Sequence, residues 1–149
     1  LIDGFLARKL KISSARGSQL DSFGDQVTFS IGLIALFIFE KEFIIQNLLL
    51  ILLAFIPYVI QMVIAYLKYG KTTAFHTYLA KTSALIQGIF ILSSLFFMPN
   101  YWLFYGMIFF GILETTEEII LIFMHEEWVS DIKGIYWVLR DKRILKKKN

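Results

Sequence analysis

The sequence contains no cysteine, only two prolines and only two histidines among its 149 residues. The absence of cysteine excludes disulfides and thiolate metal sites, and it leaves no cysteine usage from which to infer the redox compartment. Charge is also sparse: 18% of residues are charged, whereas 57% are hydrophobic and 17% are aromatic. With a mean hydropathy of +0.64, these values lie outside the range of ordinary soluble domains and indicate one domain in a bilayer.

Four apolar windows are each long enough to cross a bilayer as a helix of about 20 residues. They are predicted at about residues 19–39, 43–67, 79–98 and 101–124. Pro57 is expected to kink the second helix without ending it, because membrane helices tolerate proline when neighbours satisfy the freed carbonyl. The predicted fold class is therefore all-α, a polytopic membrane helix bundle of four full spans plus, at residues 1–10, the end of an earlier helix.

The distribution of basic residues predicts the orientation of these spans. The first and third connections and the C-terminal tail are rich in lysine and arginine, whereas the other two connections hold only Lys41. The basic residues of the first and third connections are Lys9, Lys11, Arg16, Lys68, Lys71 and Lys81. The positive-inside rule places both connections and the C-terminus in the cytoplasm. Residues 134–149 mix aromatic and basic side chains and are predicted to be a basic interfacial tail on anionic lipid, which explains their charge without a nucleic-acid partner.

Small and ionisable residues near the N-terminus have fixed spacing. They are Asp3, Gly4, Ala7, Arg8, Gly17, Asp21 and Asp25. The first four fall at helical neighbour spacings and the last three step by four, so each set shares one helix face. Carboxylates on adjoining helices can converge on shared cations, and oxygen ligands without histidine or cysteine favour magnesium or manganese over zinc. A solvated helix-end charge would explain any one aspartate, but a chance match of all seven positions is about one in 10^9.

The order Asp-Gly-x-x-Ala-Arg, eight residues, then Gly-x-x-x-Asp-x-x-x-Asp, resembles the signature of the CDP-alcohol phosphotransferase family, also called the CDP-alcohol phosphatidyltransferase family. The family pattern has a further aspartate three residues before Asp3, which would precede Leu1. We therefore expect the chain to be truncated at its N-terminus, and a fragment without that aspartate to be a poor catalyst. The family fold is a bundle of six membrane helices, so the parent is expected to have six and this chain to lack the first and half of the second.

The resemblance implies a membrane phosphatidyltransferase of phospholipid biosynthesis. Such an enzyme transfers a phosphatidyl group from a CDP-linked lipid to a small alcohol, releases CMP and uses two divalent cations, Mg²⁺ or Mn²⁺. By position, the implied metal ligands are Asp3, Asp21 and Asp25, with Asp25 also the catalytic general base. The implied nucleotide-binding residues are Gly4, Ala7, Arg8 and Gly17. The family often forms homodimers, its active site faces the cytoplasm, and the acceptor alcohol stays open.

Polar residues outside the signature give weaker predictions. Lys81 and Gln87 match a spacing seen in many family members, so Lys81 is a candidate to bind lipid phosphate or the acceptor; a snorkelling lysine is the alternative. Glu114, Glu117 and Glu118 lie inside the fourth span on one face. Because unpaired carboxylates are costly there, we expect them to face the bundle and form structural pairs with Arg8, Lys81 or hydroxyls rather than to catalyse.

A rival function is a transporter or channel, in which intramembrane carboxylates would line an ion path. The enzyme is favoured because a transporter has no need of glycine, alanine and arginine at these intervals. A non-catalytic scaffold is a third interpretation, favoured if the residue before Leu1 is not aspartate.

Overall fold

A computed structural model describes the backbone of residues 15–148, and the side chains of residues 30–141 and of positions 17, 20, 23, 24, 27 and 28. Its helices are α1 (Ala15–Phe39), α2 (Lys41–Gln46), α3 (Leu48–Tyr69), α4 (Tyr78–Phe96), α5 (Tyr101–Met124) and α6 (Ile135–Lys148). Within these residues there is no strand, although Ala74 and Ser130 form an isolated parallel bridge. The all-α prediction is confirmed.

The second apolar window is broken rather than continuous. The chain turns at Asn47, between α2 and α3. The side-chain amide of Asn47 donates to the carbonyl of Phe43 at 2.9 Å, and its backbone N–H donates to the same oxygen at 3.1 Å. The prediction of one helix over residues 43–67 is therefore wrong at this point, because one polar residue in an apolar run barely changes hydropathy. Pro57 lies inside α3, which continues past it as predicted.

Local capping explains where the other helices begin and end. The Thr77 hydroxyl accepts from the backbone N–H of Ala80 at the start of α4. The Asn100 side chain accepts from two backbone N–H groups at the start of α5. Gly70 ends α3 with φ +70°, a left-handed conformation that glycine adopts without steric cost. These caps satisfy backbone groups that helix ends would otherwise leave without partners.

Two apolar clusters define the two ends of the bundle. The first packs Leu36 and Phe43 against Phe90 and Phe104. The second packs residues of α3 and α5 against the connections 70–77 and 125–134; its buried members are Ala65, Phe75, Leu121, Ile122 and Ile132. We call the end that carries these two connections the loop end. Because the C-terminal part of α1 lies in the first cluster, its N-terminal half points toward the loop end.

Two of the described helices, α3 and α4, are long and apolar enough to cross a membrane, with mean hydropathies of 2.6 and 1.5 over their best windows. Helix α5 has the predicted bounds, 101–124, but carries three glutamates, so it does not meet the same composition test. Large apolar side chains are exposed along α1, α3 and α4, among them Ile38, Leu49, Leu67 and Leu92. Such a surface is typical of contact with lipid.

Helix α1 approaches α4 closely at Gly32. A Cβ atom built on Gly32 would lie 3.0 Å from Cδ1 and 3.1 Å from Cγ2 of Ile91, whereas one built on Gly88 would meet nothing within 4 Å. We therefore expect Gly32→Ala to be less stable than the matched variant Gly88→Ala by about 1 kcal/mol, because both gain helix propensity but only Gly32→Ala forces Ile91 to move. Thermal unfolding in detergent measures the difference. Equal midpoints would show that the Gly32 contact does not limit packing.

Candidate functional site

The second part of the sequence signature, positions 17 to 25, lies in the N-terminal half of α1. Helix α1 is continuous from Ala15 to Phe39, so positions 17, 21 and 25 lie about one turn apart along it. Asp3, Gly4, Ala7 and Arg8, and the side chains of Asp21 and Asp25, lie outside the described residues. The residues that bind metal and nucleotide therefore stay predictions, which rest on the spacing of the signature and on the continuity of this helix.

The contact at Gly32 relates the signature to the rest of the bundle. Position 25 is seven residues before Gly32 (32 minus 25), about 10 Å along the helix toward the loop end. Counting seven residues back along α4 from Ile91 reaches Ala84. Position 25 of α1 is thus at about the level of Ser83 and Ala84 on α4.

Three glutamates of α5, Glu114, Glu117 and Glu118, form what we call the carboxylate cluster. Glu118 has two donors on one oxygen: its Oε2 accepts from Nε2 of Gln61 at 2.6 Å and from the hydroxyl of Thr73 at 2.7 Å. The Gln61 amide also donates to the Thr73 hydroxyl at 3.1 Å, and both residues are buried. A carboxylate in apolar surroundings is tolerable when it is paired in this way.

Glu117 joins the beginnings of two helices. Its Oε2 accepts from the Thr77 hydroxyl at 2.7 Å, and Thr77 is the residue that caps α4. Its Oε1 accepts from the backbone N–H of Ile135 at 3.3 Å, at the start of α6. Gly134 adopts φ +142°, and a Cβ there would lie 3.0 Å from the same oxygen. The positive φ favours glycine at this close approach. Through Thr77 and Ile135, one carboxylate contacts both helix starts.

Glu114 is the member of the cluster farthest from the loop end, and it lies close to Ser83 of α4. The Ser83 hydroxyl accepts from Nε2 of Gln87 at 2.9 Å. Gln87 is thus engaged inside the bundle, although the sequence associated it with Lys81. Glu117 and Glu118 have hydroxyl partners, one of the options that the sequence predicted. Pairing with Arg8 lies outside the described residues, and pairing with Lys81 stays a prediction.

The lysines of the loop end differ in what they contact. Lys68 donates to the carbonyl of Ile122 at 2.7 Å, near the C-terminal end of α5. The Nζ atom of Lys71 lies 3.8 Å from the centroid of the Trp128 ring, a cation–π contact. Lys81 is exposed in the first turn of α4, with its Nζ 5.8 Å from the ring of Tyr78. The role of Lys81 toward lipid phosphate or the acceptor stays a prediction.

The two connections of the loop end are bonded to each other. The indole N–H of Trp128 donates to the carbonyl of Thr72 at 2.9 Å, and the backbone N–H of Asp131 donates to the carbonyl of Ala74 at 3.1 Å. The backbone N–H of Tyr78 donates to the carbonyl of Lys133 at 3.3 Å. Sequence analysis missed this pairing, since each bond joins segments more than 50 residues apart. The sequence feature closest to this pairing was Gly134, a glycine just before an amphipathic helix.

Among the side chains that the structure describes, no group of three histidine, aspartate or glutamate residues is arranged to hold a metal ion. The carboxylate cluster instead uses its oxygens on protein donors. The contacts observed for the cluster are structural hydrogen bonds. The aspartates of the signature remain the candidates for metal ligands.

A comparison with protein families supports the signature independently. The family model described as CDP-alcohol phosphatidyltransferase matches residues 1–113, which include all seven signature positions. A search of curated proteins and a search of solved structures found no match. The match covers α1 to α4 and most of α5.

The carboxylate cluster makes a prediction about stability. Glu118→Ala removes the acceptor of two buried donors, Gln61 and Thr73, so we expect the free energy of unfolding to fall by about 2 kcal/mol. Glu118→Gln keeps an acceptor oxygen and is expected to lose less. The matched control is Glu127→Ala, an exposed glutamate beyond the end of α5, with an expected change within about 0.5 kcal/mol. Thermal or denaturant unfolding in detergent measures all three, and equal losses at Glu118 and Glu127 would contradict the role.

Proposed function

This chain belongs to the CDP-alcohol phosphatidyltransferase family, and we propose on that premise that it is a membrane phosphatidyltransferase of phospholipid biosynthesis. It takes the phosphatidyl group of a CDP-linked lipid, transfers it to a small alcohol and releases CMP. The observation that carries the proposal is the family match over residues 1–113, because this range contains the complete run of signature residues from Asp3 to Asp25.

The proposed chemistry follows from the residues of the signature. The acceptor hydroxyl attacks the phosphorus that carries the lipid, the bond from that phosphorus to the CMP oxygen breaks, and a phosphodiester forms. Asp25 takes the proton from the attacking hydroxyl. Asp3 and Asp21, with Asp25, offer carboxylate oxygens alone, a donor set that fits Mg²⁺ or Mn²⁺. Two such cations would neutralise charge on the pyrophosphate and the departing CMP.

The remaining signature residues bind the donor in this proposal. Gly4, Ala7 and Gly17 are small and admit the cytidine, and Arg8 meets phosphate with its planar fork of N–H donors. Lys81 is the tentative contact for the lipid phosphate or the acceptor. Its support is its exposure and its position at the start of α4, on the loop end toward which the signature helix points.

The proposed topology is four spans with the loop end in the cytoplasm. It is supported by the apolar helices α3 and α4 and by the lysines of the loop end, Lys68, Lys71 and Lys81. The N-terminal half of α1 lies toward the same end, so the active site would also face the cytoplasm. A transporter or channel is disfavoured, because the glutamates that could line an ion path accept hydrogen bonds from the protein itself.

The role of Asp25 is tested by Asp25→Asn in the complete protein. We expect loss of CMP release by about a hundredfold or more, because asparagine cannot take up the proton and is a poorer metal ligand. The free energy of unfolding of this variant should be unchanged. The matched control is Asp141→Asn, an exposed aspartate of α6 outside the family match, which should keep full activity. Near-normal turnover of Asp25→Asn, measured in detergent with a CDP-linked lipid, would overturn this role.

Metal dependence gives a separate prediction. Chelation should abolish CMP formation, and Mg²⁺ or Mn²⁺, but not Ca²⁺ at the same concentration, should restore it, because Ca²⁺ prefers longer bonds and more ligands. A panel of small alcohols with a readout of the lipid product identifies the acceptor in the same assay. Undiminished CMP formation after complete chelation would contradict a reaction assisted by metal ions.

A further inference from the structure

We propose that α6 docks on the surface of the membrane that holds the bundle, with anionic lipid headgroups as its partner. Charge is the first observation. The sequence of α6 contains six lysine or arginine residues and one acidic residue, Asp141. Oδ1 of Asp141 lies 3.7 Å from Nε of Arg140, and both side chains are more than half exposed. Each basic residue close to an anionic leaflet adds about a fivefold preference for the docked state.

The position of α6 is the second observation. It begins eleven residues after α5 ends (135 minus 124), so it is tethered at the loop end, beside the end of an apolar helix bundle. Its first turn is held in place by Glu117, which accepts from the N–H of Ile135. Ile135 and Val138 also pack on the second apolar cluster. A helix fixed in this way at the edge of a membrane bundle has the bilayer surface as its nearest partner.

The exposed side of α6 is the third observation. Tyr136 is 66% exposed and Leu139 is 46% exposed, although both are large and apolar over much of their surface. Positions 136, 139, 140 and 143 follow the spacing of one helix face, and positions 140 and 143 are arginines. Apolar groups that enter the headgroup region beside basic groups that meet phosphate are typical of an interfacial helix. A second copy of the same basic helix would be repelled.

Because these 149 residues contain no cysteine, one introduced cysteine is the single labelling site among them. We would place an environment-sensitive fluorophore on Leu139→Cys in the complete protein. The labelled protein is reconstituted into vesicles of phosphatidylcholine alone or of phosphatidylcholine mixed with phosphatidylglycerol. We expect a blue-shifted emission and protection from a water-soluble quencher only in the vesicles that contain phosphatidylglycerol. High salt should reverse both effects by screening.

Charge variants then test the cause. Replacing Lys146, Lys147 and Lys148 by glutamine should lower the ratio of protected to unprotected label by at least about tenfold. The matched control is Lys41→Gln, at the opposite end of the bundle, which should change nothing. A label at Tyr136→Cys repeats the measurement if Leu139→Cys unfolds, and a label at Phe97→Cys, in the turn between α4 and α5, should not respond to lipid charge.

Three outcomes would overturn the proposal. The first is protection that does not depend on lipid charge, and the second is protection that survives the triple lysine variant. The third is protection in neutral detergent that rises with protein concentration, which would identify a second copy as the partner. None of these readouts uses CMP formation, so the proposal can fail while the proposed transferase activity stands, and the reverse is also possible.

Discussion

The structure depends on the pairing of two carboxylates, Glu117 and Glu118, inside an apolar helix bundle. A charged group removed from water is costly unless donors surround it. Helix α5 carries both glutamates, and their donors come from α3, from the connection 70–77 and from the first residue of α6. These interactions therefore determine how three other parts of the chain are arranged around α5. The apolar clusters add packing energy, but apolar contacts alone do not select one arrangement as strictly.

This pairing also organises the end of the molecule where the family signature lies. Glu117 holds the start of α4, whose first turn presents Lys81, and it also holds the start of α6. The bonds between Trp128 and Thr72, and between Asp131 and Ala74, join the two connections into one cap. The signature helix α1 reaches toward this cap from its Gly32 contact with α4. The structural carboxylates and the α1 positions that are proposed to be catalytic thus lie toward one end of the bundle.

The fold could be predicted from the sequence where the determining signal is local. The bounds of α5 were predicted because Pro99 and Asn100 precede an unbroken apolar run that ends at a polar stretch. The break at Asn47 was missed, since it depends on one side chain bonding back to its own preceding turn. The signature could be recognised for the same reason, because its fixed spacing is a local feature of the sequence. The donors of the carboxylate cluster, Gln61 and Thr73, were not predictable, because they meet Glu118 from 57 and 45 residues away.

The glutamates of α5 also have a consequence for biosynthesis. In the proposed topology, α5 leaves the ribosome after α3 and α4, and a helix with three carboxylates partitions poorly into lipid as an isolated segment. By then α3, the connection 70–77 and α4 have already been made, so their amide and hydroxyl donors are available to receive it. Integration of α5 is therefore a step of assembly onto earlier helices rather than simple partitioning. A defect at Gln61 or Thr77 would appear first as failed integration of α5.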